Sequence, residues 1–204
     1  MHPTLLLLQA PDESVSAMGV ALEYVGFVAY FFMFGALGFR YFVLGRMPSS
    51  VSAPATIDSG GGERSVFDIA AYRGAWIGLV GTLLFLGGLL NTLAGRAAEK
   101  QIPMMDALTA GGGRTITPFV LGALLLLGFV LALGRVRAGW VLAALAGTWL
   151  TIGSITTGKW ASLVNPVHKV AASIWLGTLL VVLIAGFPAV MRSALHSDRR
   201  GALV

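Results

Sequence analysis

The sequence predicts an all-α integral membrane protein, a bundle of about five transmembrane helices with the N-terminus outside and the C-terminus cytoplasmic. Of its 204 residues, 56% are hydrophobic and 11% are charged, whereas a soluble domain carries about 25% charged residues. The apolar residues are concentrated in five long runs, and about 20 apolar residues in a helix are enough to cross a bilayer. Little sequence lies outside these runs, so we expect no soluble domain that folds alone.

The first helix is expected over residues 17–44, after an N-terminal outer segment formed by residues 1–16. That segment resembles a signal peptide only briefly, because it lacks a basic start and its apolar run is short. We therefore interpret it as retained. The first helix is long enough to tilt or to extend past the hydrocarbon. A loop rich in Pro, Ser and Gly follows over residues 48–63, and this composition predicts a flexible connection.

The second and third helices are expected over residues 72–94 and 117–134. The second contains Gly74 and Gly78, four residues apart on one face, a spacing that lets two membrane helices approach closely. In the third helix, Pro118 is expected in the first turn, where the missing N–H costs little. The second helix is therefore expected to allow a close approach of another helix at these glycines.

The fourth and fifth helices are expected over residues 139–157 and 166–191, followed by a polar cytoplasmic tail, residues 192–204. The fourth carries threonine and serine hydroxyls that can bond to backbone or to a neighbouring helix. The fifth is expected to begin with Pro166 in its first turn and to bend near Pro188. Together the five helices form one transmembrane domain over residues 17–191.

Basic residues set the orientation, because cytoplasmic loops are enriched in Lys and Arg. With the N-terminus outside, nine of the 14 basic residues fall on the inner side. The inner set is Arg40, Arg46, Arg64, Arg73, Arg135, Arg137, Arg192, Arg199 and Arg200. The outer set is Arg96, Lys100, Arg114, Lys159 and Lys169. Trp76 and Trp140 are then expected at the inner interface, as amphipathic rings favour the headgroup level.

Four residues are candidate metal ligands at the outer side: His168, Met104, Met105 and Met18. Imidazole is a common metal ligand, and thioethers favour Cu(I). These side chains are expected at one level of the membrane and together would suit copper. The alternative is structural: His168 caps a packing interface, and the methionines fill gaps between apolar side chains. The sequence leaves both interpretations open.

The sequence argues against several other kinds of site. The chain has no cysteine, so disulfides and thiolate chemistry are absent. His168 is the only histidine in the membrane region, which excludes a haem held by two facing histidines. Gly111, Gly112 and Gly113 lie between membrane helices, so a linker is expected there and not a phosphate-binding loop. The net charge of +5 reflects residues flanking helices and does not predict nucleic-acid binding. We expect no enzyme.

The segments Leu150–Ala161 and Val167–Leu179 resemble the copper resistance protein D (CopD) family of bacterial inner-membrane proteins. In that family one helix ends in a Gly-His-Ala-like turn, and the next helix begins with His, then Ala-Ala, then Trp-x-Gly-Gly. The second motif is matched in order and spacing by His168, Ala171, Ala172, Trp175 and Gly177. Two positions depart from it, since Lys159 replaces the histidine of the first motif and Thr178 replaces one glycine of the second.

The resemblance implies a multi-pass protein of the bacterial inner membrane that handles copper at its outer face, beside a periplasmic copper-binding protein. Gly35–Phe39 is similar to the family's small-residue segment in an early helix. Lys159 puts a fixed positive charge at the outer ends of the fourth and fifth helices, and this charge disfavours a nearby cation. The alternative is a non-catalytic accessory subunit of a larger respiratory or photosynthetic complex, in which Trp175, Gly177 and Lys159 serve packing or an interface in the lipid bilayer.

Overall fold

The structure is a computed structural model that describes residues 17–46, 54–57, 63–153 and 160–191. The described part is dominated by helices. Their bounds are α1 Ala17–Gly38, α2 Val66–Lys100, α3 Met104–Ala110, α4 Gly112–Leu133, α5 Arg137–Gly153 and α6 Trp160–Val181. α1 continues through a π-helical turn, Phe39–Val43, and a 3-10 turn, Leu44–Arg46. α6 continues through a second π-helical turn, Val182–Gly186, just ahead of the predicted bend at Pro188.

Four segments are long and apolar enough to cross a membrane: Gly19–Arg46, Phe67–Lys100, Gly112–Leu133 and Val164–Met191. The protein is therefore a helical, multi-pass membrane protein. α5, with 17 residues, is the remaining long helix of the described bundle. Residues 154–157 of the predicted fourth helix, the N-terminal segment 1–16 and the tail 192–204 lie outside the described residues.

The observed helix ends differ from the predicted ones. α2 extends beyond both ends of the predicted range 72–94. At its C-terminal end, residues with high helix propensity such as Arg96 and Glu99 prolong the helix past its apolar stretch. Pro118 and Pro166 lie inside α4 and α6, so their expected first-turn positions were wrong. Each helix begins six residues before its proline, and membrane helices tolerate such interruptions.

A short antiparallel ribbon lies in the connection between α1 and α2. It is formed by β1, Pro54–Ile57, and β2, Glu63–Ser65, with Ile57 paired to Glu63. The sequence predicted a flexible loop over this stretch, and for the two strands that was wrong. Ladder hydrogen bonds satisfy backbone groups that an open loop would leave to water.

Helix directions follow from the close approaches between neighbours. Gly81 of α2 faces Ala29–Met33 of α1, while Gly74 faces Phe39, so α1 and α2 are antiparallel. The pairs α2–α4 and α4–α5 are antiparallel by the same criterion. α6 runs parallel to α1. We call the two ends of the bundle the Arg40 end, which includes the α4–α5 turn, and the Lys169 end, which includes α3.

Two clusters of buried side chains hold the bundle together. The larger joins α1, α2, α4 and α5 around residues such as Met33, Leu125 and Phe129. The smaller, around Phe39 and Val181, joins the end of α1 to the start of α2 and to α6. Within these clusters the packing is tight enough that helix backbones approach each other at glycines.

Candidate functional site

The described candidate metal ligands lie on helices that pack in different parts of the bundle. Met104 and Met105 are exposed on α3, which packs against α2 and α4. His168 is exposed on α6, which packs mainly against α1. Met18 is in the first turn of α1, and its side chain lies outside the described residues. The described residues contain no group of three or more His, Asp or Glu side chains placed to hold a metal ion.

Trp175 and Gly177, which carry the CopD-like motif, point in different directions. Trp175 is 68% exposed and faces the bundle's surroundings, as His168 does. Gly177 is buried against α1, where an added Cβ would lie 2.9 Å from the Cα of Gly35 and would overlap the carbonyl oxygen of Phe31. Lys159 lies outside the described residues. The motif therefore combines an exposed aromatic side chain with a helix-contact glycine.

The contact between α1 and α6 brings the small-residue segment Gly35–Phe39 against Val167–Leu179, two of the segments that resemble the CopD family. Gly35 meets Gly177 backbone to backbone, and an added Cβ at Gly38 would overlap the hydroxyl of Thr178. That hydroxyl is buried without a hydrogen-bond partner among the described atoms. Small residues at such a crossing allow the two backbones to approach closely.

Gly74 and Gly78 of α2 make room for two phenylalanine rings. An added Cβ at Gly74 would lie 3.2 Å from the Phe39 ring, and one at Gly78 would overlap the ring of Phe129. Phe129 in turn meets Trp140 edge to face, with ring centroids 5.9 Å apart. Trp140 is only 6% exposed, so its ring faces the interior of the bundle. It lies at the Arg40 end, 5.9 Å from the Arg40 guanidinium, and its place at the inner interface stays a prediction. Its ring packs next to Gly74, where the absence of a side chain leaves space in the core.

Lys169 is held by aromatic rings at its end of the bundle. Its ammonium nitrogen lies 4.2 Å from the centroid of Tyr30 and 4.8 Å from that of Phe27, both on α1. An ammonium over an aromatic face is stabilised by the ring's quadrupole. The sequence placed Lys169 only in the outer set of basic residues, and these ring contacts were not expected from it. The parallel pairing of α1 with α6 aligns them, and no local pattern reveals that pairing.

An apolar groove of about 380 Å³ opens between α1, α5 and α6. α1 contributes Phe34, Leu37 and Gly38 and its continuation adds Tyr41 and Phe42, while α6 contributes Val167, Val170 and Ile174. The α5 side consists of small, hydroxyl and branched residues, namely Ala144, Thr148, Thr151 and Ile152. The groove exists because α5 packs mainly on α4 and α6 mainly on α1, with sparse contact between α5 and α6.

The Arg40 end contains a second cavity, of about 120 Å³, among three arginines. The Arg40 guanidinium lies 5.0 Å from the Phe67 ring and 5.9 Å from the Trp140 ring. Arg135 and Arg137 line the same cavity from the α4–α5 turn. The sequence placed Arg40 only in the inner set of basic residues. The sequence feature that indicates this cavity is the concentration of arginines on the predicted inner side.

Comparisons with protein-family models, curated proteins and solved structures gave no match. The resemblance to the CopD family therefore rests on the residues of this chain. The geometry offers three features for a function: the groove between α1, α5 and α6, the aromatic contacts of Lys169, and the arginine-lined cavity.

Proposed function

We propose that this protein is a non-catalytic accessory subunit of a larger membrane complex, and that the groove between α1, α5 and α6 takes a transmembrane helix of a partner protein. The observation that carries the proposal is the gap between α5 and α6. The two helices follow each other in the chain, yet each packs on a different neighbour. The groove between them is lined mostly by apolar side chains.

The chemistry of the α5 wall favours a helix as the occupant. Ala144 is small, and small residues allow helix backbones to approach closely in a membrane. Thr148 and Thr151 donate their hydroxyl protons to the carbonyls of Ala144 and Gly147, at 2.8 and 3.0 Å. These hydroxyls therefore bond to the backbone of α5, and the methyl group of Thr148 lines the groove.

The helix directions support five crossings, with α5 as the fourth. α4 and α6 run in the same direction. α4 is parallel to α1 because both are antiparallel to α2, and α6 is also parallel to α1. The chain must then return across the bilayer between Leu133 and Val164, and α5 is the helix that lies there. With the N-terminus outside and the C-terminus cytoplasmic in a bacterial inner membrane, the Arg40 end faces the cytoplasm, in keeping with the excess of basic residues there.

Copper handling is the alternative prediction. It would require His168 to meet the sulfurs of Met104 and Met105, yet α3 and α6 pack in different parts of the bundle. Helix packing supports the accessory role better, because the CopD-like motif places its glycine in the α1–α6 contact and leaves its tryptophan exposed.

The groove is tested by filling it with a large side chain. Thr148→Trp puts an indole into the groove, whereas Leu127→Trp adds one to an exposed position of α4 outside the groove. Each variant is extracted from its native membrane in mild detergent and analysed by native mass spectrometry. We expect the wild type and Leu127→Trp to carry a stoichiometric partner, and Thr148→Trp to lose it, because the indole occupies the partner's place.

A wild-type protein that runs alone would contradict the accessory role, and a partner retained equally by Thr148→Trp would contradict the groove. Copper in the same preparations is measured by elemental analysis in the wild type and in His168→Ala. Stoichiometric copper that disappears in His168→Ala would support copper handling instead.

A further inference from the structure

The cavity at the Arg40 end lies where three elements of the bundle meet. It is lined by residues from the π-helical turn after α1, from the start of α2, and from the α4–α5 turn. The lining includes Arg40, Arg135, Arg137, Asp68 and Tyr72. Among these described lining residues the arginines outnumber the one carboxylate. The cavity is therefore a positively charged pocket at one end of an apolar bundle.

Arg40 is held in place by its surroundings. Its guanidinium sits near the rings of Phe67 and Trp140, and Trp140 is fixed in turn by its edge-to-face contact with Phe129. Arg40 belongs to a π-helical turn, a conformation often found at functional sites. A guanidinium fixed in this way presents its planar set of N–H donors to an oxyanion with little further loss of entropy.

Two helix N-termini add to the positive potential. α2 begins at Val66 and α5 at Arg137, and both first turns contribute residues to the cavity wall. The free N–H groups of a first turn favour an anion. α2 has Asp68 in its first turn. The first turn of α5 has no acidic residue of its own.

Arg135 occupies a backbone position that glycine usually takes. After α4 the N–H of Val136 donates to the carbonyl of Leu131 at 2.9 Å, and the N–H of Arg135 donates to that of Ala132 at 3.0 Å. This is the Schellman arrangement, whose left-handed residue is most often glycine. Arg135 adopts it with φ of 63°. The turn thus places an arginine side chain on the cavity at a strained backbone position.

We propose that this cavity binds a phosphate group. Three arginines supply charge-assisted donors that suit phosphate oxygens, often in pairs. Basic pockets between membrane helices suit the headgroups of anionic lipids, and an aromatic side chain such as Tyr72 is typical of the interface level. A soluble phosphate compound would offer the same chemistry. The site is independent of the groove between α1, α5 and α6.

The test uses the full chain purified in detergent and native mass spectrometry with added phosphatidylglycerol or phosphatidylcholine. The altered protein is the double variant Arg135→Gly with Arg137→Gln, which removes two charges and leaves glycine at the left-handed position. The matched control is Gln101→Gly with Arg114→Gln at the opposite end. Gln101 also has a positive φ, 53°, and Arg114 is exposed. Thermal unfolding of both variants shows that they are folded.

We expect the wild type and the control to retain phosphatidylglycerol in preference to phosphatidylcholine. The altered protein should bind phosphatidylglycerol at least about fivefold more weakly, since each surface arginine contributes roughly fivefold to binding an anionic lipid. The proposal would be overturned if the wild type retained the two lipids equally and inorganic phosphate also left its unfolding temperature unchanged. It would be overturned as well if the altered and control proteins responded equally to phosphatidylglycerol and to inorganic phosphate.

Inorganic phosphate distinguishes the two sources of the ligand. If millimolar inorganic phosphate raises the unfolding temperature of the wild type and the control but not of the altered protein, a soluble phosphate compound is the occupant. If inorganic phosphate has no such effect while phosphatidylglycerol is retained by the wild type and lost by the altered protein, the lipid headgroup is the occupant. Either result supports the phosphate site.

Discussion

At the residue scale, glycines decide where helices meet. Gly35 and Gly177 touch through their backbones, and Gly78 gives its space to the Phe129 ring. Other glycines, such as Gly87 and Gly88 of α2, have open space around them. The sequence alone shows 27 glycines without separating these two groups. The Gly74 and Gly78 spacing pointed to a helix contact, but the aromatic partners of that contact come from distant parts of the chain.

Gly177→Ala is expected to destabilise the protein by about 1–3 kcal/mol, because overpacking a tight contact forces backbone shifts. The added methyl group would overlap the Phe31 carbonyl oxygen. Gly87→Ala is the matched control, since nothing lies within 4 Å of its added Cβ. It should be neutral or stabilising by up to about 1 kcal/mol through helix propensity. The free energy of unfolding in mixed micelles measures both. Equal effects would contradict the close α1–α6 contact.

At the scale of elements, helix ends are set by more than the apolar window. α2 runs through Asn91, Arg96 and Glu99 to Lys100, well past its apolar stretch. Its end is a Schellman turn: the N–H of Ile102 donates to the carbonyl of Ala97 at 3.0 Å, and that of Gln101 to Ala98 at 3.1 Å. Gln101 stands where glycine is usual, so a search for a terminating glycine misses this end.

Gln101→Gly is expected to stabilise the protein by up to about 1 kcal/mol, because a left-handed backbone is unfavourable for a residue with a Cβ. Ala98→Gly, three residues earlier and inside α2, is the matched control. It should destabilise by about 1 kcal/mol, the usual cost of glycine within a helix. Thermal unfolding of the two variants tests this. Destabilisation of the same size in both would mean that the turn at Gln101 is not left-handed.

At the scale of the whole molecule, the order of packing departs from the order of the chain. α6 packs on α1, and α5 packs on α4. The resulting bundle is open between α5 and α6, and its two ends differ in charge chemistry. One end gathers three arginines around a cavity, while at the other a single lysine lies over two aromatic rings. The proposed partner groove and the proposed phosphate site both follow from this arrangement.

The orientation is testable because the chain has no cysteine, so each introduced thiol is the only one. Asp106→Cys on α3 and Val136→Cys in the α4–α5 turn are both at exposed positions on opposite ends. We expect a membrane-impermeant maleimide to label Asp106→Cys in spheroplasts and to label Val136→Cys only after lysis. The reverse pattern would place the N-terminus in the cytoplasm, and labelling of both before lysis would contradict the predicted number of crossings.

The sequence by itself determined that this is a multi-pass helical membrane protein and roughly where its helices lie. Those properties depend on local apolarity and on the length needed to cross a bilayer. It also located the small-residue segments of α1, α2 and α6. Only the tertiary structure decided what those segments contact, that Trp140 is buried, and that Lys169 and Arg40 lie against aromatic rings. These facts depend on which helices become neighbours, and in a bilayer neighbours are selected by packing between distant segments, because the apolar pattern alone satisfies the lipid equally well in many arrangements.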